Sequence, residues 1–340
     1  MSKTIIVTGG AGFIGSNFIH TLVAERPDWR IVNLDALTYA GNLENLAAVE
    51  THPGYTFVHG DIRRAEDVAR AFDAAGRVNY LVHFAAESHV DRSIESGLPF
   101  VTSNVGGTQV LLDVSRERGL GKFVHVSTDE VYGSLGETGY FTEDTPLSPN
   151  SPYSASKTAS DLLVRAAVHT HGFPACITRC SNNYGPWQFP EKLIPLMIAN
   201  ARADKALPIY GDGLYVRDWL YVVDHCEAIL RVAEAGEAGE VYNIGGNNEY
   251  PNLTIVKTLL QALGKPESLI TFVKDRPGHD RRYAIDASKI RAELGWEPRF
   301  TFEQALPLTI RWYESQDEWT QRVMSGAYRD YYDRQYGDRV

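Results

Sequence analysis

The run Thr4-Ile5-Ile6-Val7-Thr8, leading straight into Gly9-Gly10-Ala11-Gly12-Phe13-Ile14-Gly15, leaves few folds open to this chain. A short β-branched run reads as a buried parallel strand. Apolar residues at Phe18, Ile19, Leu22 and Val23 then recur at helical spacing. A strand that turns through Gly9, Gly12 and Gly15 into a helix lets backbone come close to a pyrophosphate, and the helix start offers its unpaired N–H groups to the phosphates. A glycine triplet alone also serves ordinary turns, so its context decides. A second apolar strand, Ile31-Val32-Asn33-Leu34, ends in Asp35, twenty residues after Gly15. A carboxylate there suits adenosine ribose hydroxyls and repels a 2′-phosphate, which favours NAD over NADP.

Further strands follow at Tyr55–His59, Tyr80–Ala85, Lys122–Ser127 and Ala175–Arg179, alternating with helical stretches. That alternation predicts an α/β chain built on a Rossmann-type, doubly wound parallel sheet. After about residue 186 prolines and glycines multiply and the strands shorten. The expected organisation is therefore a Rossmann domain over 1–185 and a smaller lobe over 186–340. A strand near 240–246 should return to the main sheet, so the lobes are interleaved.

Thr128, Asp129 and Glu130 fall at the C-terminal end of one strand, the edge where open α/β sheets bind ligands. Tyr153 and Lys157 lie four residues apart, on one face of a helix. A neighbouring ammonium favours phenolate, which would make Tyr153 a proton acceptor near neutral pH and points to dehydrogenase chemistry. Hydride transfer alone does not need two adjacent carboxylates. Asp129 and Glu130 suggest further proton chemistry on a transiently oxidised sugar. The triplet could also be a plain helix cap with acids in its first turn. Cations gather later, at Arg217, Arg276, His279, Arg281 and Arg282, and the turn Asp275–His279 could grip a diphosphate.

Longer strings sharpen this reading. Asp35-Ala-Leu-Thr-Tyr-Ala-Gly41, Ala85-Ala-Glu-Ser-His-Val-Asp-Arg-Ser93, Thr128-Asp-Glu130, the Tyr–Lys pair, Asn182-Asn-Tyr-Gly-Pro186, Glu191-Lys-Leu-Ile-Pro195 and Arg217-Asp-Trp219 stand in order. Together they resemble the extended short-chain dehydrogenase/reductase family, and within it the nucleotide-sugar 4,6-dehydratases. The resemblance runs from about residue 3 to about 315. It implies a hydro-lyase that oxidises a nucleotide-linked glucose at carbon 4, eliminates water across carbons 5 and 6, and returns the hydride to carbon 6. Tyr153, with Lys157 and Thr128, would take the 4-hydroxyl proton; Glu130 would take the carbon-5 proton, and Asp129 would protonate the leaving hydroxyl.

The resemblance also implies NAD contacts at Gly9, Gly12, Phe13, Ile14, Gly15, Asp35, Ala36, Leu37 and Thr38. Asp61, Ile62, Phe84, Ala85, Ala86, Ser103 and Asn183 would join them, with Tyr153 and Lys157. Substrate contacts are implied at Ser88, Thr128, Asn182, Lys192, Leu193, Pro208, Ile209, Tyr210, Arg217, Asn252, Arg276 and His279. A homodimer is implied, paired through a helix near 100–118 and the helix that starts at Tyr153. On the latter, Leu162, Leu163, Ala166 and Ala167 could serve that interface or the chain's own core.

Composition limits the alternatives. A net charge of −10 over 340 residues argues against nucleic acid as a partner. No apolar span reaches membrane length, and the first apolar run enters the glycine loop rather than a signal-peptide cleavage site. The three cysteines, Cys176, Cys180 and Cys226, lack metal-ligand spacing and read as reduced thiols of a cytoplasmic protein; no metal is expected. A 4-epimerase would need Tyr153, Lys157 and NAD but not the two acids. A sugar-nucleotide decarboxylase keeps a glutamate like Glu130 but resembles serine at 129. An inactive NAD-binding protein of this fold would usually lose the tyrosine or lysine. Trp187 replaces the tyrosine of many relatives, and the aromatic stretch Trp312, Trp319, Tyr328, Tyr331, Tyr332 and Tyr336 suggests packing rather than chemistry.

Overall fold

The computed structural model describes residues 2–325. In chain order its strands are β1 (Thr4–Thr8), β2 (Arg30–Asp35), β3 (Tyr55–His59), β4 (Tyr80–His83), β5 (Lys122–Thr128) and β6 (Ala175–Cys180). After these come β7 (Asn182–Tyr184), β8 (Leu207–Tyr210), β9 (Val216–Tyr221), β10 (Val241–Ile244), β11 (Glu249–Pro251) and β12 (Ile270–Val273). Seven strands form one parallel sheet in the order β3-β2-β1-β4-β5-β6-β10. The order reverses between β1 and β4, which opens a crevice at their C-terminal ends.

Side chains alternate across this sheet. Ile5 and Val7 face Phe18, Ile19 and Leu22 of the helix Phe13–Glu25, and Ile229 and Val232 of the helix Val222–Ala235. Ile6 faces the opposite layer, with Phe72, Leu111 and Val164 from the helices Ala65–Ala75, Thr108–Glu117 and Pro152–His171. Full burial of one such side chain contributes about 1.5–3 kcal/mol. Both faces are covered, so the strands read as near-continuous apolar runs.

The helix Pro152–His171 starts at a defined point. Ser151 and Ser154 exchange hydrogen bonds as a capping box, Pro152 occupies the first turn, and Gly172 ends the helix with φ 59°. Tyr153 is thereby fixed at the helix start. The stretch near 100–118, expected as an ordinary helix, contains a π-helical turn at Val101–Gly107. Asn104 in that turn accepts from the Glu87 N–H at 2.8 Å and donates to the Glu87 carbonyl and to Ser156 Oγ. The wider turn serves a polar network beside the crevice.

The second lobe packs Ile194, Met197, Ile209, Val256, Leu259 and Phe302 around the β11-β9-β7 sheet and the β12-β8 pair. The chain does not stay there. Val222–Ala235, β10 and Ser288–Leu294 return to the main sheet. Trp187 adopts φ 65° and packs against Trp312, at 4.6 Å between ring centres, and Trp319. Tyr328, Tyr331, Tyr332 and Tyr336 lie outside the described residues. Of the four residues in question on the helix Pro152–His171, Leu163 and Ala167 pack toward the core beneath them, whereas Leu162 and Ala166 are exposed.

Candidate active site

At Gly9 and Gly15 the glycine turn is packed too tightly for a side chain. Gly9 has φ 72°, and a Cβ there would meet the Ala85 nitrogen at 2.7 Å. A Cβ on Gly15 would sit 2.2 Å from the Gly9 carbonyl oxygen. This cradle at the start of a helix fits a dinucleotide pyrophosphate. Asp35, at the end of β2, accepts from the Ala11 N–H at 2.9 Å and the Leu37 N–H at 2.8 Å. Its carboxylate thus shapes the turn as well as facing the crevice.

A cavity of about 340 Å³ runs from this turn to the end of β5. Gly9, Gly12, Phe13, Ile14, Gly15, Asp35, Ala36 and Thr38 line one end, with Asp61 and Ile62 beside them. Phe84, Ala85, Ala86, Ser88 and Ser103 form a wall, and Thr128, Asp129, Glu130, Tyr153, Lys157, Asn182, Asn183 and Lys192 close the far end. Leu37 is the expected cofactor contact that falls outside the lining; it takes φ 50° in the turn after Asp35.

Thr128 shows that cap and site are one structure. It caps a short 3-10 turn, Asp129–Tyr132, by accepting from the Glu130 N–H at 3.3 Å. Its hydroxyl also donates to Asp129 Oδ1 at 3.3 Å, and Tyr153 lines the same end of the cavity. Asp129 is 2% exposed, and its Oδ2 has no partner. Burial, then the charges of Glu130 and Asp218, push Asp129 well above the usual carboxylate range. Glu130 is also raised by burial, but Arg276, Arg217 and Lys192 pull it back. The two adjacent acids therefore sit in unlike surroundings: carboxylates outweigh Arg217 at Asp129, and cations outweigh Asp280 at Glu130.

Tyr153 departs from expectation. Burial and the Glu130 carboxylate hold its phenol well above the ordinary tyrosine value, rather than toward phenolate. Lys157 donates instead to the Val126 carbonyl at 2.9 Å, and burial lowers it to about 8. An ammonium turned to a backbone carbonyl does less for the phenol than helical spacing suggests.

The remaining substrate candidates lie outside the cavity lining. Leu193 opens the helix Leu193–Arg202 and packs on the second core, as do Ile209 and Tyr210, while Pro208 shares their strand β8. Asn252 starts the helix Asn252–Ala262, with a buried Oδ1 that lacks a partner. Arg217 is buried, donating to the carbonyls of Val216 and Asp280, its guanidinium 4.3 Å from the Tyr283 ring centre. Arg276 reaches Asp91 at 3.4 Å, and its Nε is buried without a partner. His279 is not a cation. Its ring stacks on Tyr215 at 3.6 Å and bonds Asp275 at 2.7 Å, and burial followed by Arg276 lowers it to about 3. Arg281 and Arg282 are held by Asp212 and Glu249.

Sequence reasoning assigned no role to Gln188 and Glu191, which also line the cavity. Glu191 is buried, accepts from the Tyr39 hydroxyl at 3.1 Å and lies 3.5 Å from Arg92. An acid flanked by Pro190 and Lys192, soon after the Asn182-Asn183 turn, was the available signal. The buried Cys176, Cys180 and Cys226 are unpaired thiols. Among the described residues no helix is long and apolar enough to cross a membrane.

The family model described as GDP-mannose 4,6 dehydratase matches residues 6–309. A dTDP-glucose 4,6-dehydratase of Xanthomonas campestris pv. campestris (strain B100) is 56% identical over 96% of this chain and 97% of its own. The crystal structure of dTDP-glucose 4,6-dehydratase from Bacillus anthracis str. Ames in complex with NAD is 51% identical, with TM-score 0.89 over 95% of this chain and 100% of that one. DesIV, the dTDP-glucose 4,6-dehydratase of Streptomyces venezuelae, solved with NAD and TYD bound, is 50% identical. It aligns with TM-score 0.91 over 94% and 99% of the two chains. The chain belongs to the GDP-mannose 4,6 dehydratase family, beside the dTDP-glucose 4,6-dehydratases that it matches over nearly their whole length.

Proposed function

We infer that this chain is an NAD-dependent hydro-lyase that converts dTDP-glucose to dTDP-4-keto-6-deoxyglucose and water. One observation carries the reading beyond the scaffold: two adjacent acids, unlike in surroundings, follow the end of β5 and share the cavity with Tyr153. Pairs of acids whose environments differ can divide acid and base duties. An epimerase needs no such pair.

When bound, NAD would supply the acceptor for the carbon-4 hydride and the donor for its return to carbon 6. The Gly9–Gly15 turn, Asp35 and the wall at Phe84–Ala86 would hold it. Tyr153, beside Thr128, would take the proton of the 4-hydroxyl as phenolate, so the burial and Glu130 charge that raise it must be offset by the positive charge of bound NAD and of Lys157. The resulting ketone acidifies carbon 5. Glu130, kept ionisable by the three cations around it, removes that proton. Asp129, held protonated by burial and neighbouring carboxylates, gives a proton to the departing carbon-6 hydroxyl. Lys192, Arg217 and Arg276 would meet the nucleotide diphosphate. Residues 1–185 with the strand near 240–246 then act as the cofactor domain, and 186–340 mainly as the nucleotide-sugar lobe. Exposed Val101 and Leu162, on the two helices implied to pair, and exposed Leu98 just before the first of them, support a homodimer. Unpaired cysteines suit the cytoplasm.

The test is product labelling in deuterated water. Dehydration predicts deuterium at carbon 5 and, at carbon 6, the hydrogen that began on carbon 4. An unlabelled 4-epimer as the main product would overturn the reading.

A further inference from the structure

Trp319, one of the aromatic residues that sequence reasoning left as packing, is wired to the glycine turn. In the helix Asp317–Val323, Trp319 is 3% exposed and donates its indole Nε1–H to Asn45 Oδ1 at 2.9 Å. Asn45, itself 2% exposed, donates from Nδ2 to the carbonyl of Ala11 at 2.9 Å. Ala11 lies inside the glycine turn, and its own N–H is held by Asp35. The Asn42 N–H also donates to the Ala11 carbonyl, at 3.0 Å, and His20 bonds the Asn45 carbonyl at 2.8 Å. At the surface Arg322 grips Glu44, next to Asn45, at 2.7 Å.

A second thread runs parallel to the first. Tyr313 donates to the Gln188 carbonyl at 2.6 Å, and Gln188 Nε2 donates to the Asn183 carbonyl at 2.8 Å. Gln188 and Asn183 both line the cavity. The left-handed Trp187 between them is enclosed by Trp312 and Trp319. Packing alone would not need an indole N–H aimed at a buried amide that is itself aimed at the glycine turn. Buried polar chains of this kind fix one arrangement, because a half-satisfied chain is costly.

We propose that Asn45 and Trp319 are positioning residues for the cofactor. The helix Asp317–Val323 holds the Ala11 carbonyl through Asn45 and so slows release of NAD from the Gly9–Gly15 turn. The proposal rests on NAD being the resident cofactor of this cavity. An enzyme that takes back its own hydride gains from a cofactor that stays, and this chain builds a latch for the turn from a distant segment.

The test uses purified holoenzyme, Trp319→Phe and Asn45→Asp. Trp319→Phe keeps an aromatic ring and deletes the N–H. Asn45→Asp keeps the size and the acceptor but loses the donor to Ala11. NAD release is followed over time after rapid dilution, and melting is compared for the NAD-loaded and NAD-stripped forms. Loss of one buried hydrogen bond should speed release by roughly ten-fold in either variant and shrink the melting difference between the two forms. A purely structural role would lower both melting points equally and leave release unchanged. Release within two-fold of wild type in both variants overturns the proposal, and if one variant does not fold the other decides. A wild-type protein that purifies without NAD would instead sink the cofactor reading itself.

Discussion

Asp129 and Glu130 are neighbours in sequence with opposite electrostatic company. After burial, the carboxylates of Glu130 and Asp218 act most on Asp129, ahead of Arg217, whereas Arg276, Arg217 and Lys192 act most on Glu130, ahead of Asp280. The Glu130 charge also raises Tyr153, second only to burial. Glu130→Gln should therefore separate two half-reactions. Exchange of the carbon-5 proton with solvent should stop, while hydride transfer from carbon 4 continues. With that negative charge gone the phenol loses its proton more easily, so the pH profile of hydride transfer should move to lower pH. Asp129→Asn removes the proton donor without removing a charge and keeps the base, so it should exchange carbon 5 while losing water about 10²–10⁴-fold more slowly. Single-turnover NADH absorbance and carbon-5 deuterium content read both. Identical behaviour of the two variants would remove the division of labour.

The strand-to-helix turn and the helices proposed to pair are open to direct test. Gly15 is helical, so replacing it by alanine should gain about 0.5–1 kcal/mol in helix propensity. Against that, the new Cβ would sit 2.2 Å from the Gly9 oxygen and 2.8 Å from Gly10 Cα, both backbone. Overpacking of this kind costs about 1–3 kcal/mol, so sterics should win. Gly15→Ala is expected to melt lower and to yield little NAD on denaturation; a raised melting point with full NAD would refute the close approach. On the next layer Leu98 is 70% exposed, Val101 52% and Leu162 51%. A charge at Leu162 should be harmless to a monomer but not to a buried interface. Leu162→Arg is expected to sediment as a monomer where wild type sediments as a dimer, and a dimer unaffected by it would place the interface elsewhere.

At the scale of the whole molecule, acid sensitivity follows from histidines buried in neutral form. His225 lies in the helix Val222–Ala235, fully buried, with Nδ1 2.9 Å from Asn183 Oδ1 and Nε2 without a partner. Burial alone lowers it to about 3 from an ordinary 6.5. Between those values the unfolded chain binds the proton and the folded chain does not, so stability falls as pH falls. From pH 7 to 5 this one residue should cost about 2 kcal/mol. His225→Asn should lose that much less in urea unfolding over the same interval, because the raised carboxylates act alike in both proteins. Equal losses would reject the account. The parallel sheet and its glycine turn were legible from residue order alone, because β-branched runs, glycine spacing and the acid ending β2 are local constraints on backbone. So were the residues that meet at the end of β5, since strand ends converge in this topology. The charge states of those residues were not legible: Lys157 turns to a carbonyl, His279 is neutral, and Tyr153 is raised by an acid twenty-three residues before it. Nor was the tie from Trp319 through Asn45 to Ala11. Proton affinity and buried hydrogen bonds depend on which distant groups share a dry neighbourhood, and only the folded chain decides that.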